Sequence, residues 1–242
     1  MLRSVPNYGI WDDHDYGLNN TGKNYPLKQE SKALFRRFWK NASWIPEDRD
    51  GVYHSRTFGA RDQALKVIVL DPRFNRDDEG EDSDTLGENQ WKWLEEQLRV
   101  PAEIRIIATS IQYIAESAGQ ETWSNIPLER ARLLKLIKRT KANGILMISG
   151  DRHWAEIASL PGPTGYPLYD ITSSSLNQPH GRGTPTINQY RHLPETYHQA
   201  NFGTILVDWK QPDPTIQLQI LDLEGQPRIQ KKLKLSNLRS GG

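Results

Sequence analysis

Gly144-Ile145-Leu146-Met147-Ile148-Ser149-Gly150-Asp151-Arg152-His153-Trp154 is the stretch that sets the fold class. Five apolar or small residues sit between two glycines, the length and punctuation of a buried strand. The run ends in Asp151 and His153, so both side chains fall at the carboxyl end of that strand. Open α/β sheets bind ligands at that edge. Continued strand geometry would point Asp151 and His153 to one side, because they stand two residues apart. A lone histidine in this position is more often structural. An adjacent aspartate, and a second polar cluster elsewhere in the chain, favour a ligand.

The second cluster is Trp11-Asp12-Asp13-His14-Asp15-Tyr16-Gly17, which follows the short apolar lead-in Tyr8-Gly9-Ile10. Three carboxylates around one imidazole repel one another in a closed pocket unless a cation becomes the largest local charge. Carboxylate oxygen and imidazole nitrogen suit iron, zinc, manganese or calcium. An Asx-rich turn that satisfies its own backbone has the same composition. The spacing alone leaves both readings open.

Further strand and helix signals extend outward from these clusters. Leu65–Leu70 reads as a strand that runs into Asp71-Pro72-Arg73, and Ile104–Ala108 as one that runs into Thr109-Ser110-Ile111-Gln112. The planar fork of Arg73 suits a pair of phosphoryl oxygens, or else a salt bridge to Asp71 or the acidic loop beyond it. Lys28–Asn41 has the pattern of a helix with Ala33, Leu34, Phe38 and Trp39 as its apolar stripe. Thr85 and Glu88 have capping-box spacing and open a helix through Leu98, with Trp91, Leu94 and Leu98 on its core face. Pro127 starts another helix, which runs to about Lys141. Val52–Phe58 alternates as a strand does, and His54 is expected to be a surface or strand-face histidine.

Beyond His153 the chain carries strands alone: Ala155–Leu160, Leu168–Thr172, Phe202–Trp209, Ile216–Leu223 and Ile229–Leu235. A long loop, Ser175–Gln199, holds His180, His192 and His198, whose irregular spacing suits substrate-edge or surface positions. The run Asp77–Asp84 lacks the glycine and terminal glutamate of an EF-hand and reads as a solvated loop. The pattern predicts an α/β fold in one domain, with a largely parallel sheet and helices, backed by an antiparallel sheet.

Taken together, the two clusters resemble the closing motifs of the alkaline phosphatase D-like metallophosphoesterases, within the calcineurin-like phosphoesterase group. Asp12, Asp13, His14 and Asp15 match that group's Gly-Asn-His-Asp/Glu motif, and Gly150, Asp151, Arg152 and His153 match its Gly-His-x-His. Leu70–Arg73, Gln90–Leu94, Trp123 with Glu129-Arg130, and Ile171–Ser174 are similar to other stretches of the family, in order. The resemblance implies a four-layer α/β/β/α sandwich over residues 1–242. It also implies hydrolysis of a phosphate mono- or diester with two or more metal ions, iron and calcium foremost, manganese or zinc as alternatives. Two such ions about 3.5–4 Å apart would polarise the phosphoryl group and hold a hydroxide. Asp13, Asp151 and His153 are then the expected metal ligands, and His14 the residue that protonates the leaving oxygen. Asp15 is expected to orient His14, and Arg73 to steady the phosphoryl group.

At Thr109–Gln112, where the wider group carries a metal-binding histidine, Ser110 or Gln112 would have to substitute. A neutral amide is a weak ligand for iron or zinc. The family's upstream strands and two further metal motifs, one of the Gly-Asp-x-x-Tyr kind, find no match here. The chain is therefore expected to be the C-terminal portion of such an enzyme, with a non-catalytic metal- or partner-binding remnant as the alternative.

Composition narrows the partners. The 31 Lys and Arg nearly balance the 30 Asp and Glu across 242 residues, so no global field recruits nucleic acid or anionic membrane. Cysteine is absent, which removes disulfides and thiolate ligands within this chain. No apolar run approaches transmembrane length, and the first residues lack the regions of a signal peptide. Relatives of the resembled family are often exported. A small phosphate ester is the expected partner.

Overall fold

A computed structural model describes residues 5–39, 44–117, 119–181, 187–192 and 196–241. Its centre is a six-stranded sheet built from β1 (His54–Phe58), β2 (Leu65–Val69), β3 (Ile104–Ala108), β4 (Ile145–Ser149), β5 (Ala155–Leu160) and β6 (Leu168–Ser173). The strand order is β1-β2-β3-β4-β6-β5. β2, β3, β4 and β6 run parallel, and β1 and β5 are antiparallel edges. Helices α3 (Gly87–Arg99) and α4 (Pro127–Thr140) connect β2 to β3 and β3 to β4. Both crossovers step the same way along the sheet, so right-handed connection puts both helices on one face. β7 (Asn201–Asp208), β8 (Thr215–Asp222) and β9 (Pro227–Lys234) form a separate antiparallel sheet. Ile216, Leu218 and Ile220 of β8 join the same buried core as Ile107, Leu146 and Met147 of the large sheet. Two short helices precede all of this, α1 (Asp13–Tyr16) and α2 (Lys28–Trp39).

The α/β sheet, its parallel centre and the separate antiparallel sheet follow the sequence pattern. Trp91, Leu94 and Leu98 are buried, as the helical spacing of α3 requires. Three local expectations are overturned. Most of the stripe assigned to α2 faces out: Leu34 is 64% and Phe38 77% exposed, whereas Trp39 packs against Phe35 and Gly9, and Lys32 is buried. The helix packs through Phe35 on a small aromatic cluster of Trp11, Tyr16 and Phe74, outside the main core. Lys32 Nζ reaches past it to the Glu47 and Arg49 carbonyls.

The capping box at Thr85 and Glu88 is not made either. Glu129 of α4 accepts the Thr85 N–H and the Trp91 indole N–H, while the Asp84 side chain caps Gly87 N–H. A tertiary acceptor displaced the local one.

His54 is the third, in part: it lies on the strand β1, but buried and not at the surface, with its Nδ1 at 2.8 Å from the Val52 carbonyl. Burial, with Arg49 adding to it, holds its pKa below the ordinary 6.5. On acidification the unfolded chain therefore takes up this proton before the folded one does. Stability should fall as pH drops from about 7 towards 5, and His54→Gln should flatten that slope in urea titrations. Parallel slopes for the two proteins would place the titration elsewhere.

Candidate active site

Four segments meet at the carboxyl edge of the parallel strands: the lead-in to α1 and the turns after β2, β3 and β4. Between this edge and β7 opens a cleft of 680 Å³, whose ionisable lining is Asp12, Asp15 and Asp151, with Thr109 and Ser110 beside them. The polar strand ends expected from sequence are thus brought together, though by a different geometry at β4. That strand stops at Ser149, and Asp151 and His153 both take left-handed backbone, with φ of 66° and 58°. Asp151 lines the cleft and His153 does not, so strand alternation does not bring the two side chains to one side. Asp and His tolerate this region better than most residues, yet such positions still cost about 1–3 kcal/mol each and cluster at functional sites.

Asp12, not Asp13, faces the cleft. Asp13 is 6% exposed, and its oxygens accept the His14 N–H at 2.8 Å and the Asn20 N–H at 2.9 Å. Burial opposes its charge, but these donors and Arg73 outweigh it and hold its pKa low. The turn reading describes that residue well. Asp12 behaves oppositely: burial pushes its carboxyl up, and Arg73 offsets only part of the shift. Asp15 accepts the Asp12 backbone N–H at 3.2 Å. The expected contact of Asp15 with His14 is replaced by Asp13, 3.9 Å from His14 Nε2, on a ring whose side chain is 75% exposed.

Arg73 is fully buried and does not line the cleft. Its Nε donates to Asp12 at 2.8 Å, and its two terminal nitrogens donate to Glu121 at 2.9 and 2.6 Å. Arg76 adds a second cation on Glu121. Burial works against the Arg73 charge, but Asp12 and Glu121 raise its pKa above the ordinary value. The guanidinium is spent on carboxylates, which gives it the work of fixing Asp12. Nothing around Glu121 in the sequence pointed to it.

His153 follows Asp151 but is not among the residues that line the cleft. Its Nδ1 lies 2.6 Å from the Gln178 carbonyl and so acts as the donor, which in the neutral tautomer leaves Nε2 as the acceptor nitrogen. Its ring stacks on His180 with centroids 4.1 Å apart. His198 Nδ1 in turn reaches the His180 carbonyl at 2.9 Å. His192 is held apart, with its backbone bonded to Ile157 of β5. Of the two candidates after β3, Ser110 lines the cleft beside Asp12. Gln112 instead donates to Glu156 and Thr172 in a buried network.

A cation needs more than this. Among the described residues, no three His, Asp or Glu side chains gather closely enough to hold an ion. Asp12, Asp151 and His153 offer donors of the right chemistry, but they do not close a site by themselves.

Comparison with known proteins places this arrangement. The PhoD-like phosphatase model matches residues 1–211, which contain both clusters. The chain belongs to the PhoD-like phosphatase family. It is similar to alkaline phosphatase D of Bacillus subtilis (strain 168), 25% identical over a match covering 60% of this chain and 31% of that protein. The solved structure of PhoD shares the fold, with a TM-score of 0.66 at 16% identity, over 96% of this chain and 54% of that one. The PhoD-like chain therefore spans about a third of the curated relative and about half of the solved structure. Over that span its six-stranded sheet and connecting helices are those of the PhoD fold. No helix among the described residues is long and apolar enough to cross a membrane.

Proposed function

We propose that this PhoD-like chain carries the leaving-group side of a metal-dependent phosphoric ester hydrolase. The observation that supports this most is the convergence of Asp12, Asp15 and Asp151 on one cleft at the carboxyl edge of the sheet. Arg73 on Asp12 and Arg152 on Asp151 already balance two of these carboxylates, so a metal ion would be held by the oxygens and lone pairs those arginines leave open. Of the expected ligands Asp13, Asp151 and His153, Asp151 and His153 are kept in the proposal and Asp12 takes the place of Asp13, whose oxygens are turned onto the His14 and Asn20 N–H groups. Further donors are required to complete the site. The cation would supply Lewis acidity and an activated water. The fold would then belong to a four-layer α/β/β/α sandwich.

The chain's own groups divide the remaining work. His14, exposed next to Asp13, protonates the leaving oxygen, and the low pKa of Asp13 keeps an anion beside the ring. Asp15 holds the Asp12 backbone and so the turn that presents His14. Arg73 positions Asp12 instead of meeting the phosphoryl group.

Hydrolysis of p-nitrophenyl phosphate and bis-p-nitrophenyl phosphate, each with iron, calcium or manganese added, tests the reading. Slow, metal-stimulated turnover that Asp151→Ala removes is the expected result. A rate no higher than the metal-only blank on both esters would favour a non-catalytic module. The ratio of the two rates separates monoester from diester preference.

Replacing His14 by Ala should lower turnover about 10²–10⁴-fold on an alkyl ester, the usual size of a general-acid contribution. On a p-nitrophenyl ester, whose leaving group needs no proton, the loss should be much smaller. Equal losses on both would remove His14 from the acid role.

A further inference from the structure

The cleft carboxylates Asp12 and Asp151 come from distant parts of the chain, so something must set the distance between them. Each is held by a buried arginine. Arg73 donates from Nε to Asp12 at 2.8 Å, and Arg152, 6% exposed, pairs through Nη2 with Asp151. Followed one step further back, these two arms meet. The terminal nitrogens of Arg73 donate to Glu121 at 2.9 and 2.6 Å. Nη1 of Arg152 donates to the side-chain oxygen of Gln120. Gln120 and Glu121 are neighbours in the chain, so one dipeptide carries both arms.

That dipeptide is itself well fixed. The Gln120 carbonyl accepts from Asn125 Nδ2 at 2.8 Å, and its N–H donates to the Ser117 carbonyl at 3.2 Å. Thr122 bridges to Gln112, and the fully buried Trp123 donates its indole N–H to Thr109 at 3.1 Å. The base of both arms is thus tied to the turn after β3, at the sheet edge that carries the cleft. The two acceptors also divide the charge differently. Glu121 is shared between Arg73 and Arg76, whereas the neutral Gln120 fixes Arg152 and leaves its charge to Asp151. A planar guanidinium gripped at both ends transmits position, which a flexible ammonium would not do.

We propose that Gln120 and Glu121 are positioning residues, a two-residue clip that holds Asp151 and Asp12 at a set separation across the cleft. Neither lines the cleft itself, so both act through the arginines. The effect on a bound cation rests on the metal reading of the cleft given above. Releasing either arm loses the set separation, so releasing the second costs little more. Removing the partners that orient metal-binding side chains typically weakens metal binding about 10–100-fold.

Three variants test the clip. Gln120→Met keeps the length of the side chain and removes the acceptor, Gln120→Glu keeps an acceptor, and Glu121→Gln weakens the other arm. Hydrogen exchange without added metal reads the arms directly, because the Gly150, Arg152 and His153 amides are all bonded. Gln120→Met should speed exchange at residues 150–153, and Glu121→Gln at residues 11–15, by at least about fivefold. Exchange in α3 and β2 should stay unchanged, which separates release of an arm from general loosening. Titration with Mn²⁺, followed by the electron paramagnetic resonance of the free ion, reads the consequence. Gln120→Met and Glu121→Gln should each weaken binding about 10–100-fold, the double variant no more than the worse single one. Gln120→Glu should keep wild-type affinity. Unchanged exchange at 150–153 in Gln120→Met overturns the proposal, and so do losses that multiply in the double variant. Wild-type protein that binds no Mn²⁺ overturns the metal reading, whereas faster exchange in the variants would still establish the clip. If Glu121→Gln does not fold, the two Gln120 variants decide the matter alone.

Discussion

Asp71→Ala is expected to destabilise the protein by at least about 4 kcal/mol, more than most core truncations cost. Asp71 is fully buried at the end of β2. Its Oδ1 accepts the Trp11 indole at 2.8 Å and the Arg73 and Phe74 N–H groups at 3.0 Å each, and its Oδ2 accepts Val52 N–H at 2.8 Å. Removing the carboxylate leaves four buried donors, each costing about 1–3 kcal/mol when unmet. Asp71→Asn offers a sharper comparison, since one amide oxygen can keep the three Oδ1 partners and give up only Val52. Urea denaturation should rank wild type above Asn and Asn above Ala. An Ala variant within about 1 kcal/mol of wild type would mean that water or rearrangement meets these donors.

Arg73→Ala should cost about 3–5 kcal/mol, because it leaves Asp12 without its partner and Glu121 with Arg76 alone. Arg73→Lys should recover little of this, since an ammonium cannot span two carboxylates with a planar fork. The same pair of variants separates two roles. A residue that grips substrate would raise KM in the Lys variant with little change in stability. A residue that fixes Asp12 would lower stability and, where turnover is measurable, kcat. The burial of Arg73 favours the second pattern.

Much of the sheet was legible because buried parallel strands are written as apolar runs, and Leu65–Val69, Ile104–Ala108 and Ile145–Ser149 are such runs. The convergence of polar groups at their carboxyl ends was legible for the same reason. What could not be read were choices settled by distant partners. Glu129 took the donors that a capping box at Thr85 would have used. Glu121 and Asp12, 48 and 61 positions from Arg73, drew its guanidinium out of the cleft. The parity argument for Asp151 and His153 failed because it assumed φ of one sign, and the chain turns left-handed at both. His180 looked like one of three scattered loop histidines until the fold stacked it on His153.

The unequal edges of the small sheet also govern how this protein would misassemble. Fibre growth needs a molecule that can be extended from both ends, since each added unit must present a fresh template. Here Pro227, Lys231, Lys232 and Lys234 of β9 discourage strand addition at one end, so a contact made through β7 uses the other edge that this sheet presents among the described residues. Association through this sheet stops at a pair. Concentrated solutions should hold small closed species and resist seeding, a safeguard that comes from the asymmetry of two strands and not from net charge.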